Sequence, residues 1–207
     1  MYIFIFFINR LFLRAKKIKL AFVLRLSICI SFFIKSPTKI TKLTNFVPIG
    51  NIKVGEKMVN GEHIFGNVLL TAEIGSPWDA VSPSQEVEHA ISSFLWLNDL
   101  SALGNFKSKK LVYNWLGLWL ETYDLYQDFK NPLKTIADRL VNVARNIILI
   151  EQSLSDSQRK RLIQIVCLEL RCLQMLESMF LPNYERFRVL VGIYYGLMML
   201  DFDKEKI

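Results

Sequence analysis

Residues 82–104, Ser-Pro-Ser-Gln-Glu-Val-Glu-His-Ala-Ile-Ser-Ser-Phe-Leu-Trp-Leu-Asn-Asp-Leu-Ser-Ala-Leu-Gly, decide how the chain is read. Ser82-Pro83-Ser84-Gln85 has the form of a capping box, with proline at the first helical position and glutamine three residues after the cap. Gly104 supplies the positive φ that ends a helix. The stretch therefore predicts one helix over 83–103. The same punctuation recurs downstream. Asn105 caps a second helix over 106–126, with Val112, Trp115, Leu116, Trp119 and Tyr123 on one stripe. Asn131-Pro132 opens a third over 132–150, with Leu133, Ile136, Ala137, Leu140, Ala144, Ile147 and Ile148 inward. Ser155-Asp156-Ser157-Gln158 is a second capping box and opens a fourth helix over 156–181. Pro182 stops it, and Asn183 caps a fifth over 184–200. Apolar spacings of three and four give each helix one buried face. Short connections predict antiparallel helical hairpins.

Ahead of the helices the pattern changes. Asn60-Gly61 suits a type I′ turn, and Gly66-Asn67 breaks the chain again before Val68–Thr71. Residues 51–75 are thus read as a small β element of two or three strands. Residues 36–50 carry two prolines and no acid. The expected organisation is a basic apolar segment over 1–34, a linker over 35–50, the β element over 51–75 and a helical domain over 76–203.

Composition sets the outer limits. The chain has 207 residues, 52% apolar, with mean hydropathy +0.26. This excludes a disordered or collagen-like chain. Three cysteines make no disulfide framework or metal-finger spacing, and two histidines do not furnish a multi-histidine metal site. No metal and no cofactor is expected. The net charge of +7 is an N-terminal property: residues 1–50 hold nine Lys/Arg and no acid, whereas the rest has net charge −2. Nucleic acid is therefore not an expected partner.

The apolar run Leu20–Ile34 is broken by Arg25 and has basic residues on both sides. An interfacial helix on an anionic membrane surface fits residues 1–34 best. A spanning signal anchor and a soluble segment packed on the domain are the other two readings. There is no small-x-small cleavage site, so a cytoplasmic or inner-membrane-associated location is favoured over secretion.

Two helix faces offer candidate chemistry. In the first helix His89, Ser92, Trp96 and Asp99 share a line, placing an aromatic among polar side chains, as carbohydrate sites do. The structural alternative is a half-buried Trp whose N–H is bonded at a packing edge. The third helix carries Asp138, Arg139, Asn142, Arg145 and Asn146 off its apolar stripe. Their donors suit sugar hydroxyls or uronic carboxylates, and a plain solvated face is the alternative. His89 as a catalytic base is the lesser reading beside a surface histidine. Cys167 and Cys172, five apart, read as core packing. No phosphate loop, dinucleotide fingerprint, serine elbow or zinc-protease motif occurs.

The order of elements resembles the N-terminal part of heparinase II/III-like proteins. A short β stretch from Phe65 is followed by Gly75-Ser76-Pro77-Trp78-Asp79, and then by Phe94-x-Trp96-Leu97-x-Asp99-Leu100-x-Ala102-x-Gly104. A Trp-rich segment follows at Leu111–Trp119, an Arg-Leu…Arg segment at Ala137–Arg145, and a glycine-containing aliphatic helix at Leu190–Leu200. Val143 stands where the family has Trp. The resemblance spans about residues 35–200. It implies an incomplete α/α-toroid of helical hairpins, with a small N-terminal β element, from a polysaccharide lyase that cleaves uronic-acid glycans by β-elimination. It also implies that the catalytic groups and the β-sandwich lie beyond Leu200. No catalytic residue carries over, and the chain is expected to be inactive alone. The expected partners are an acidic polysaccharide, contacted by Trp78, Trp96, Arg139, Asn142 and Arg145, and a separately encoded C-terminal part. The competing class is a membrane-associated helical adaptor with no enzymatic activity. Residues 189–200 hold no charge, so one side of the last helix, including some of Tyr195, Gly196 and Met199, is expected to be exposed.

Overall fold

The computed structural model describes residues 49–66, 68–70, 75–79, 84–124, 132–180 and 183–200. The basic segment 1–34 and most of the linker lie outside the described residues. The chain is mainly helical, with one small antiparallel sheet. In chain order the elements are α1 (Ile52–Val59), β1 (His63–Phe65), β2 (Val68–Leu70), a 3-10 turn (Pro77–Asp79), α2 (Gln85–Ser92), α3 (Trp96–Leu103), α4 (Phe106–Thr122), α5 (Leu133–Arg145), α6 (Ile147–Ser153), α7 (Asp156–Phe180) and α8 (Asn183–Met199).

The two strands fall where expected, at His63–Phe65 and Val68–Leu70, but the segment before them is helical. Residues 52–59 form α1, capped by Asn51, whose side chain accepts from the Lys53 N–H. Asn60-Gly61 is the end of this helix and makes no hairpin turn. Gly61 sits at φ +94°, with Glu62 N–H bonded to Lys57 O and Gly61 N–H to Met58 O. That is a Schellman ending, which uses the same tolerance of positive φ that a type I′ turn needs. The hairpin pairs Phe65 with Val68, and Gly66 after the first strand is at φ +56°. The last linker residue is docked: a Cβ on Gly50 would lie 1.9 Å from the Asn98 carbonyl oxygen.

The first predicted helix is two helices. Its N-cap is Ser84, which accepts from the Val87 N–H at 3.3 Å, so the cap falls two residues after Ser82. The break lies at Ser93–Leu95. Phe94 has φ +59°; its N–H bonds Ile91 O, and the Leu95 N–H reaches Ala90 O. This is again a Schellman motif, with a phenylalanine where glycine is usual. The third predicted helix is also two. At Asn146 the backbone leaves helical geometry (φ −105°, ψ 19°), and its side chain bonds Asn142 O at 2.8 Å and Asn98 Oδ1 at 2.8 Å. Ile148, expected inside, is thereby turned out and exposed.

The other helix starts agree closely with expectation, whereas α4 stops at Thr122, short of the expected 126, where Tyr123 leaves helical geometry (φ −57°, ψ 121°). Asn105 caps α4 through the Ser108 N–H at 2.9 Å. Ser155 and Gln158 close a reciprocal box at α7, at 3.4 and 3.0 Å.

Named contacts fix how the helices run. Trp96 faces Trp115 and Phe94 faces Trp119, so α3 and α4 are antiparallel. Arg186 meets Glu177, and Gly196 lies against Leu170, so α7 and α8 are antiparallel. His89 meets Asp138, and Asn98 meets Asn142 and Asn146, so α2–α3 run with α5. Gly192 lies against Ala137 and Gly196 against Leu140, so α8 also runs with α5. A Cβ on Gly192 would come within 2.7 Å of Ala137 backbone, and this close approach is what glycine permits. Helix α5 is central, packed by α2, α3, α7 and α8. Among the described residues no helix is long and apolar enough to cross a membrane.

Candidate functional site

Four of the five residues singled out for glycan contact converge, but they do so in the core. Phe94 is fully buried at their centre. Trp78 stands edge-on to it at 5.8 Å, Trp96 lies 5.7 Å away, and the Arg139 guanidinium covers its ring at 5.3 Å. Trp119, edge-on to Phe94 at 4.9 Å, also lies 5.1 Å from the guanidinium. Asn142 donates from Nδ2 to Ser93 O at 2.8 Å and accepts from Asn98 at 3.0 Å.

Trp96 is thus not on a polar face: it is 2% exposed, with its N–H on Ile91 O. Arg139 and Asn142 are likewise not on a solvated face. Arg139 is 1% exposed and paired with Glu169 at 3.2 Å, inside the α5–α7 contact. Trp78 is half-buried and donates to Trp115 O at 2.9 Å. These groups hold the strained turn at Phe94, and their donors are committed within the fold. Arg145 stands apart, half-buried in the last turn of α5, where a cation complements the helix dipole.

The accessible polar cluster is elsewhere. His89 on α2 places Nε2 3.2 Å from Asp138 Oδ2 and Nδ1 3.0 Å from Thr135 Oγ1. Arg188 on α8 reaches the same Asp138 oxygen. Three helices are tied by one carboxylate. Beside this cluster opens a groove of about 600 Å³, bordered by Glu86, Glu88, His89, Lys134, Thr135 and Arg188 among others. The volume lies within the range of small-ligand sites. The groove collects the starts of helices that run the same way: the first turns of α2 and α5, and Arg188 near the start of α8. Helix N-termini carry partial positive charge, and the first-turn acid Glu86 answers that of α2. Lys134 and Arg188 add full charges.

His89 and Asp138 were both visible as candidates in the sequence, but their partners Thr135 and Arg188 were not. The spacing of 50 residues between Asp138 and Arg188 carries no local signal. Thr135 is buried, so its hydroxyl orients His89 and is poorly placed to attack a substrate. Among the described residues no group of three His, Cys, Asp or Glu could hold a metal ion. Cys167 and Cys172 are buried in α7, and burial pushes the Cys167 thiol up to about 11, partly offset by Arg171. No family model, curated protein or solved structure matches the chain.

Proposed function

We propose that this chain is a helical binding module of heparinase II/III-like type, corresponding to the N-terminal part of an α/α-toroid. It recognises acidic polysaccharide and has no lyase turnover of its own. The observation that carries the proposal is the groove where the first turns of α2 and α5 meet Arg188 from the second turn of α8, beside Lys134 and His89. Uronic-acid glycans pair carboxylates with many hydroxyls. The first turns of α2 and α5 and the Lys134 ammonium suit the carboxylates, Arg188 being shared with Asp138, and Glu86, Glu88 and Gln85 can accept from or donate to the hydroxyls. The alternation of helix direction along the chain also agrees with the toroid reading.

In this reading β-elimination is not performed by the residues of this groove, and His89 serves binding. The test is calorimetric titration with size-defined heparin, alginate and oligogalacturonate fragments. Binding of at least one, weakened about tenfold by Lys134→Glu with unchanged circular dichroism, is expected. Lys134 is partly buried, and the unchanged circular dichroism is the check that the fold is kept. Binding unaffected by Lys134→Glu would place the affinity in the basic segment 1–34 and reject the groove. Formation of unsaturated uronate by the chain alone would reject the inactive-module reading.

A further inference from the structure

The last described helix leaves one side uncovered, though not the side expected from sequence. Gly196 and Met199 are buried and Tyr195 is half-buried, because the Gly192/Gly196 strip packs on α5 and α7. The exposed side chains are Tyr184 (75%), Phe187 (67%), Leu190 (44%), Tyr194 (58%), Leu197 (42%) and Met198 (39%). Phe187, Leu190, Tyr194 and Leu197 follow one another at three, four and three residues, the spacing of a helix–helix seam. We infer that this face of α8 is the seam of a homodimer, in which α8 of a second copy lies antiparallel across it about a two-fold axis between Leu190 and Tyr194.

Three observations select a second copy as occupant. The first is shape. The seam is aromatic in its first half (Tyr184, Phe187) and aliphatic in its last (Leu197, Met198). A two-fold axis between Leu190 and Tyr194 opposes Phe187 to Leu197 and Leu190 to Tyr194 of the other copy, so each large ring meets a smaller aliphatic group. A parallel copy would set like against like along the whole seam. The second is charge. Residues 189–200 carry none, and the flanking arginines are already held within the chain, Arg186 by Glu177 and Arg188 by Asp138. The middle of the seam, residues 189–200, therefore closes without burying a charge. The third is area. The six side chains expose on the order of 600 Å² per copy, taking about 200 Å² for a large apolar side chain. Two copies would bury about 1,200 Å², the lower end of what a specific dimer uses. This predicts a dimer of micromolar strength.

The inference is independent of the groove, which lies at the start of α8 on the side facing α2 and α5. It is tested on the full chain by sedimentation equilibrium. The wild type is expected to be dimeric at tens of micromolar. Phe187→Lys and Leu197→Glu are each expected to weaken it at least tenfold, with circular dichroism unchanged because both side chains are exposed. Mixing the two variants is expected to restore a heterodimer, since antiparallel pairing sets the new lysine against the new glutamate. A parallel seam cannot give this restoration. A monomeric wild type, with the seam covered by residues 1–34 of its own chain or by a separately encoded helical partner, would overturn the inference. So would a dimer insensitive to both substitutions, or two weakened variants that do not rescue each other.

Discussion

Replacing Arg139 by methionine should destabilise the fold strongly and leave the groove intact. The guanidinium is 1% exposed and lies 3.2 Å from Glu169, itself 1% exposed. It also lies against the Phe94 and Trp119 rings, at 5.3 and 5.1 Å. Methionine fills most of the volume and keeps contact with both rings, so the packing loss is small. The carboxylate of Glu169 keeps its burial and loses its cation. Removing one partner of a buried pair costs about 3–5 kcal/mol. Against a total of about 5–15 kcal/mol for a domain this is a large share. For a chain of this size it corresponds to a melting shift of roughly 6–20 °C. Guanidinium denaturation followed by circular dichroism measures it. The double variant Arg139→Met, Glu169→Leu removes both charges and should regain most of the loss, ending within about 1.5 kcal/mol of wild type. A single variant within about 1 kcal/mol of wild type would refute the argument, as the pair would then not be a structural tie. A double variant worse than the single would refute it equally, because an uncompensated charge would not be the source of the cost.

Gly192→Ala should cost about 1–3 kcal/mol in the same denaturation assay, because its Cβ would fall 2.7 Å from Ala137 backbone and force α8 off α5. Cys167 and Cys172 should resist a thiol reagent at pH 8 in the native chain and react on unfolding, as a buried thiol is slow to ionise. The Cys167 pKa is raised from 9.0 to about 11, so its contribution to stability should be complete below about pH 9 and lost as pH climbs to 11, read as a falling denaturation midpoint over that window. Burial raises the Asp99 carboxyl, and the bond from the Asn51 N–H at 2.7 Å opposes this only in part. Asp99→Asn, which keeps an acceptor, should therefore be neutral or stabilising by up to about 1 kcal/mol at pH 7, with the difference vanishing as pH falls below the ordinary carboxylate range.

The helices were legible wherever their ends are written in local chemistry. Asn105, Ser155-Gln158 and Gly104 do in space what their types allow, because a cap needs only residues within three or four positions. The two missed breaks have another origin. Nothing local marks Phe94 for positive φ, a conformation costing about 1–3 kcal/mol for an ordinary side chain. It is held there by Trp78, Trp96, Trp119 and Arg139, which come from four separate stretches of sequence. Asn146 likewise breaks its helix through a bond to Asn98, 48 residues away. Asn60-Gly61 shows the converse limit. The positive φ was readable, but whether it served a hairpin or a helix end depended on the segment before it.

The site followed the same logic, with a larger penalty. A helical wheel drawn through 83–103 places Trp96 beside His89 only if the helix is continuous. The break at Phe94 turns Trp96 inward and leaves His89 facing α5. On the third predicted helix the polar residues are real, but α3 covers Asn142 and α7 covers Arg139, so a solvated-looking face becomes the centre of the molecule. Polar side chains at helical spacing therefore marked a contact surface correctly and its partner wrongly. The donors selected for a sugar were taken by Ser93 O, Asn98 and Glu169. What remains accessible among the described residues includes the mouth beside His89, where Lys134 and Arg188 are each partly covered. Glu86 and Glu88 border the same groove and Arg188 is already held by Asp138, so Lys134 is the residue on which the binding reading stands or falls.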